Sequence, residues 1–342
     1  DFGIYTTSKW QIDDDLTVDA GIRYDFNRIE AKKFYLKSRW EESGYDEIFS
    51  NLIIDEFPTQ FLTNPKFDYH NISASFGGKY TIDEHSQIIL NYSLGSRPPN
   101  ASELFSDGLH HALARIEIGD IRFNKEIANR IASSYSYNNS RFNLLVEVFY
   151  NRIKDYIFLR PFEDNLDNRG AFGLWLYKQT NAELFGIDTN VTFEITKNFE
   201  WQNKSSLIKG VDIKTDLPLI NIPAFNSVNQ IMYKNEDWLN FSASLKSELF
   251  FEQKEFPNFN YEVLDQFTGE RFEIDISSPP QGFHLIHFYS ELTLKMSKKT
   301  SLNIGLGVNN VFDTSYRNYL NSLRYFADEL GRNIILQLKL NY

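Results

Sequence analysis

Apolar and polar residues alternate with a period of two over most of the chain. In GRNIILQLKLNY, at the C-terminal end, Ile334, Leu336, Leu338, Leu340 and Tyr342 fall on one side, and Asn333, Gln337, Lys339 and Asn341 fall on the other. This pattern predicts a strand with one apolar face. The same period sets Leu16, Val18, Ala20, Ile22, Tyr24 and Phe26 against Thr17, Asp19, Gly21, Arg23, Asp25 and Asn27. It recurs at Leu144, Val146, Val148 and Tyr150, at Phe241, Ala243 and Leu245, at Ile286, Phe288, Leu292 and Leu294, and at Leu302, Ile304, Leu306 and Val308. Three segments, near 127–137, 199–209 and 224–233, alternate only weakly.

Connection lengths alternate as well. Short turns are predicted at 12–15, 82–85, 137–140, 196–198, 234–237 and 296–300, and long loops near 29–66, 98–125, 158–175, 211–223, 253–283 and 314–330. Short turns at one end and long loops at the other are the pattern of an outer-membrane β-barrel, with periplasmic turns and extracellular loops. The expected fold is thus all-β, a transmembrane antiparallel barrel, with residues 1–342 forming part of one barrel domain. The count comes to 13 strands, with 173–195 read as one strand bent at Gly186. A closed antiparallel barrel in one chain needs an even number, so further strands are expected upstream.

Composition fits this reading. The 342 residues include 30 Phe, 19 Tyr and 5 Trp but no Cys, which removes disulfide and thiolate-metal chemistry. There is no apolar run of about 18 residues, so no transmembrane helix is predicted, and DFGIYTTSKW lacks the regions of a signal peptide, so the natural N-terminus is expected upstream. The mean hydropathy of −0.41 suits strands that hide half their residues in a polar lumen. A net charge of −11 argues against a nucleic-acid partner. Outward Leu, Ile, Val and Phe are expected to face lipid, and Trp10, Tyr80, Tyr92, Tyr150, Trp201, Tyr233 and Trp238 to form interfacial girdles. Tyr342, Leu340 and Leu338 are expected to matter for assembly, since the terminal strand closes the barrel. No G-x-S-x-G, P-loop, H-E-x-x-H or Cys nucleophile occurs, so no enzyme is predicted and no cofactor is required.

The stretch RPPNASELFSDGLHHALARIEIGD, Arg97 to Asp120, carries the densest candidate chemistry. Pro98 and Pro99 end a strand. Glu103, Asp107, His110 and His111 then offer carboxylate and imidazole ligands of a kind that suits zinc or another transition metal, with His110 and His111 the metal candidates. Adjacent histidines point apart in an extended chain, so both can ligate only in a turn or short helix. The plainer reading makes the four solvated or capping loop residues. His284 and His287 face opposite sides of a strand, His287 toward the lumen. Two further loops are acidic, RWEESGYDEIFSNLIIDEF and EQKEFPNFNYEVLDQFTGERFEIDI, and are read as solvated surface or as a cation-attracting vestibule. Bulky aromatics there offer surfaces for a ligand or a surface lipoprotein.

Three motifs in order resemble the TonB-dependent outer-membrane receptors. The C-terminal GVNNVFD, Tyr316 and GRN run resembles the family's closing strands through Phe312, Asp313, Tyr316, Gly331, Arg332 and Tyr342. RPPNASEL resembles its RxPxxxEL segment through Arg97, Pro98, Glu103 and Leu104, and NAELFGIDTNV its NAxxxGxE segment through Asn181, Ala182 and Gly186, with Asp188 in place of Glu. Loop 97–120 is also similar to that of the zinc- and haem-uptake subgroup. The resemblance implies the C-terminal part of a 22-stranded barrel, without its plug domain or coupling box. It further implies active uptake of zinc, haem or a ferric siderophore across a Gram-negative outer membrane. Lipid, lipopolysaccharide and the energy-coupling protein TonB would be its partners. The alternatives are a passive porin-like channel, which needs an even strand count, and a soluble all-β carbohydrate-binding protein.

Overall fold

The computed structural model describes residues 1–113, 115–162, 173–264, 268–275 and 277–342. Thirteen long strands form one antiparallel meander, each hydrogen-bonded to the next. They are β1 (Phe2–Gln11), β2 (Leu16–Glu30), β3 (Lys66–Thr81), β4 (Ser86–Arg97), β5 (Glu126–Asn138), β6 (Phe142–Pro161) and β7 (Gly173–Thr196). The series continues with β8 (Phe199–Asp212), β9 (Asn226–Asn235), β10 (Phe241–Phe250), β11 (Phe283–Lys295), β12 (Ser301–Asn309) and β13 (Asn333–Asn341). Among the described residues β1 and β13 each pair on one side only. Much of the loop expected near 158–175 and part of that near 253–283 lie outside the described residues.

The six short turns share one device. The side-chain oxygens of Asp13, Asp83, Asn139, Thr196, Asn235 and Ser297 each accept the backbone N–H groups two and three residues on. Such Asx and hydroxyl turns satisfy the donors that a reversing chain frees.

Register sorts the two faces. Phe193, Trp201, Ile231, Leu245, Phe288, Val308 and Ile334 form one row across seven strands. On the opposite face Thr192, Gln202, Gln230, Lys246 and His287 form another. Outward apolar side chains stay uncovered by protein, with Phe76 58%, Ile131 52% and Leu338 63% exposed. A soluble β protein would bury such residues; a barrel leaves them to lipid. Aromatics gather at the turn end, where Phe199 packs on Tyr233 at 4.9 Å and Trp238 on Phe241 at 4.8 Å.

The protein's own apolar core lies in the long loops. Residues expected only as loop at 31–65 form a small unit, with strands Lys33–Leu36, Ile53–Glu56 and Gln60–Thr63 in one sheet and two short helices. Its Tyr35, Trp40 and Tyr45 are buried together with Ile121 of the 98–125 loop. Trp40 meets Tyr35 and Tyr45 edge-on, both at 5.2 Å. The 213–225 connection folds back, so that Leu219 and Ile222 cover Ala182 and reach the surface of Gly210.

Candidate functional site

The 98–125 loop begins with a keystone. Asn100 caps the short helix Ala101–Phe105 in a capping box with Glu103. The Glu103 carboxylate is buried and accepts from the Arg97 guanidinium at 3.0 to 3.1 Å, and Arg97 Nε donates to Glu126 at 2.7 Å. One cation thus ties the end of β4 to the loop and to the start of β5. Gly119 is required here, because a Cβ would stand 2.7 Å from the Glu103 carbonyl oxygen.

The loop then forms a hairpin of Asp107–His110 with Arg115–Ile118. Its second strand pairs in parallel with Gly173–Leu176 of β7, on the edge that β6 leaves free. Arg115 lies 5.0 Å over the Trp175 ring and donates to Glu117 at 2.7 Å, while the Tyr177 hydroxyl donates to Glu117 at 3.2 Å. The crossing chain is therefore fixed by a sheet ladder as well as by side chains.

The 31–65 unit is clamped to this loop. Asp107 accepts from Arg39 Nη1 at 2.8 Å and has Lys33 Nζ at 3.9 Å. Lys33 donates to the Phe105 carbonyl and lies 4.4 Å from the Tyr35 ring centroid. Burial pulls the Lys33 ammonium down to about 8; Asp107 opposes that shift and Arg39 adds to it. Tyr45 donates to Asp120 at 3.2 Å, and Arg122 reaches the Ser43 carbonyl at 3.2 Å. Burial raises the Asp120 carboxyl, but its bonds from Arg122 and Tyr45 outweigh that and hold it below the ordinary carboxylate range.

Between these parts opens a chamber of about 500 Å³, walled by Arg39, Glu42, Tyr45, Asp120, Arg122, Tyr177 and Lys178. Lys178 also lines a second pocket of about 250 Å³, with Phe158, Arg160, Lys214, Leu217, Ile220 and Phe259. Lys178 and Lys214 make no ion pair among the described residues. The larger chamber is polar and the smaller one mostly apolar, and both carry cations that a negatively charged ligand would meet.

The four residues predicted as ligands are not brought together. Glu103 is held by Arg97 and Asp107 by Arg39 and Lys33, whereas His110 ends the first hairpin strand and His111 opens the 3₁₀ turn His111–Leu113, both exposed. Among the described residues no three His, Cys, Asp or Glu side chains are grouped to hold a metal. His287 does face the lumen, buried, with Nε2 3.7 Å from Glu248, and His284 Nε2 meets Ser247 on the other face at 2.7 Å. The chamber residues Tyr45, Asp120, Arg122 and Lys178 were not singled out in the sequence. Their signal, an Arg two residues after an Asp in a long loop, is too common to find them.

The motif residues prove to be joints of the fold. Asn181 accepts from the Asp155 backbone at 3.1 Å, where β6 bulges against β7. Asp313 accepts from the Arg332 backbone at 2.7 Å, and Arg332 Nε donates to Val311 O at 2.9 Å, so FD and GRN close one loop.

Residues 1–311 match the family model described as TonB dependent receptor-like, beta-barrel. The chain is 21% identical over 327 residues to the rhizobactin receptor of Rhizobium meliloti (strain 1021), covering 90% of this chain and 41% of that protein. Among solved structures it is similar to the copper transporter OprC, with a TM-score of 0.71 at 15% identity over 99% of this chain and 47% of that one. It is also similar to the ferric yersiniabactin uptake receptor FyuA of Yersinia pestis, with a TM-score of 0.63 at 11% identity over 99% and 44%. The chain spans less than half the length of these relatives. The thirteen-strand meander, its lipid-facing rows, its long-loop end and the family match together lead to one identification: the chain belongs to the TonB-dependent receptor β-barrel family of the outer membrane.

Proposed function

We propose that the chain is the ligand-receiving part of a receptor for active, TonB-dependent uptake of a metal complex, and that the complex is an anionic ferric chelate. The observation that carries this is the pair of chambers meeting at Lys178, with Arg39, Arg122, Arg160 and Lys214 around them. Chambers of this size at the mouth of a barrel suit a chelate rather than a bare ion. The names of relatives support the same class: a rhizobactin receptor, a ferric yersiniabactin uptake receptor and a ferripyoverdine receptor. In this reading His110 and His111, exposed at the hairpin tip, meet the arriving ligand, and Glu103 and Asp107 hold the hairpin in place through Arg97 and Arg39. A zinc or haem centre built from all four would first have to break both ion pairs. TonB supplies the energy, and lipopolysaccharide and a surface lipoprotein are the expected neighbours.

The test is uptake of radioactive iron, offered as ferric citrate and as ferric hydroxamate and catecholate chelates, by cells carrying the full-length receptor with or without TonB. Uptake of an anionic chelate that stops when TonB is removed is the expected result. Uptake unaffected by loss of TonB, with steady conductance in planar bilayers, would make the protein a passive pore. Replacing His110 and His111 by Ala should weaken binding of that chelate and leave barrel assembly intact.

A further inference from the structure

The outward face of β8, β9 and β10 departs from the rest of the barrel wall. Facing away from the lumen, Asn203 pairs with Asn229 and Ser205 with Ser227 across β8 and β9, and Asn229 pairs with Ser247 on β10. These side chains bond to one another. Asn203 Nδ2 donates to Ser227 Oγ and to Asn229 Oδ1, both at 3.0 Å, and Ser205 Oγ lies 3.0 Å from Asn203 Oδ1 and 2.9 Å from Ser227 Oγ. The same face of β6, β12 and β13 carries Val146, Val148, Ile304, Leu306, Leu336 and Leu338.

The patch lies within the membrane-facing band. Toward the turns it is followed by Trp201, Ile231 and Leu245, then by Phe199 and Tyr233. Toward the loops Phe225 and Phe251 pack at 5.1 Å, 38% and 49% exposed. Aromatics mark the two interfaces of a membrane barrel, so the amides and hydroxyls between them sit at hydrocarbon depth. Polar side chains at that depth are costly toward lipid and serve instead to bind other membrane-embedded protein.

We propose that this face is an interface within the membrane between two copies of the receptor. The patch contains no Asp, Glu, Lys or Arg, and the imidazole beside it, His284, is engaged by Ser247 at 2.7 Å, so it presents no fixed charge to a lipid phosphate or to a charged partner. Asn203 and Asn229 each carry both a donor and an acceptor, which makes the surface complementary to itself about a two-fold axis. Asn229 Nδ2 has only a 3.5 Å contact to Ser227 Oγ, so its donor remains for a second amide. Two facing Asn229 side chains can then donate reciprocally, Nδ2 to Oδ1, with Trp201 and Ile231 packing beneath them.

The chain has no Cys, so a single introduced thiol reports one position. The full-length receptor carrying Ser227→Cys or Asn229→Cys is oxidised with copper phenanthroline in native outer membranes. A disulfide-linked species of twice the receptor mass is expected from these two, and none from Ile304→Cys on the apolar face of β12. Asn203→Leu with Asn229→Leu should lower the dimer fraction in native gels at least tenfold. Monomer alone from both thiol variants, or a crosslink to a protein of another mass, overturns the proposal. Should the double-leucine barrel fail to assemble, the thiol variants still decide it.

Discussion

The Phe149 ring occupies the place of a side chain at Gly186. The two residues are cross-strand partners on β6 and β7, and a Cβ at Gly186 would stand 2.3 Å from both Cε1 and Cζ of the ring. The sequence reads this segment as one strand with Gly186 inside it, and β7 runs unbroken through that glycine from Gly173 to Thr196. The glycine is needed because an aromatic ring lies across the strand, with the Arg130 guanidinium 4.3 Å from the ring centroid.

Gly186→Ala should therefore cost about 1–3 kcal/mol, the range for forcing atoms into a filled site. Phe149→Ala in the same chain should recover much of that loss. Urea unfolding of the refolded barrel, followed by heat-modifiable mobility, measures both. Equal stability of Gly186→Ala and the parent would show that the ring moves aside freely.

Glu103→Ala removes the acceptor of Arg97 and half of a capping box. Arg97 is partly open to water, so the loss is expected at about 1–3 kcal/mol, below that of a fully buried pair. The effect should be local. Protease should cut the 98–125 loop faster while the barrel stays folded; an unchanged cleavage rate would remove the keystone role.

The clamp between the 31–65 unit and the 98–125 loop should depend on pH. Lys33 in the folded state titrates near 8 rather than at 10.5, so between these values the unfolded clamp holds more protons and the clamp gains stability as pH rises. Burial shifts Tyr35 and Tyr45 upward, so above about pH 10 they stay protonated only when folded and the trend reverses. Hydrogen exchange around Trp40 should show greatest protection near pH 10. Lys33→Met should flatten the rise below it.

Leu338 pairs with Ile304 on the lipid side, and Gln337 pairs with Gly305 on the lumen side. Leu338→Arg should cost roughly 2–4 kcal/mol near the bilayer midplane, whereas Gln337→Arg should be mild. Tyr342→Ser, at the end of the same strand, should lower the yield of assembled barrel. Folding yield into lipid vesicles compares the three.

The strands were legible because each carries its two faces in its own residues. The count of thirteen and the turns at 12–15, 82–85 and 296–300 follow from that local code. The 31–65 unit was not legible, because Tyr35, Trp40 and Tyr45 are buried against one another and Ile121 with no period to announce it. Weak alternation at 199–209 and 224–233 had a physical source: Asn203, Ser205, Ser227 and Asn229 hold outward positions where apolar residues were expected. Arg97, Asn181 and Asp313 stood out through resemblance alone, and their bonds to Glu103, Asp155 and Arg332 give the reason. The chambers around Lys178 join residues from six separate segments, which no local pattern can reveal.

The six self-capped turns bear on how such a chain is built. Each fixes the register of its hairpin with bonds that span only three residues, so six strand pairs can be specified before any distant contact exists. The costly chain closures are left to the long-loop end, where ring entropy grows with loop length. Assembly would then add hairpins as preformed units, and the slow step would be the joining of one hairpin to the next across a long loop.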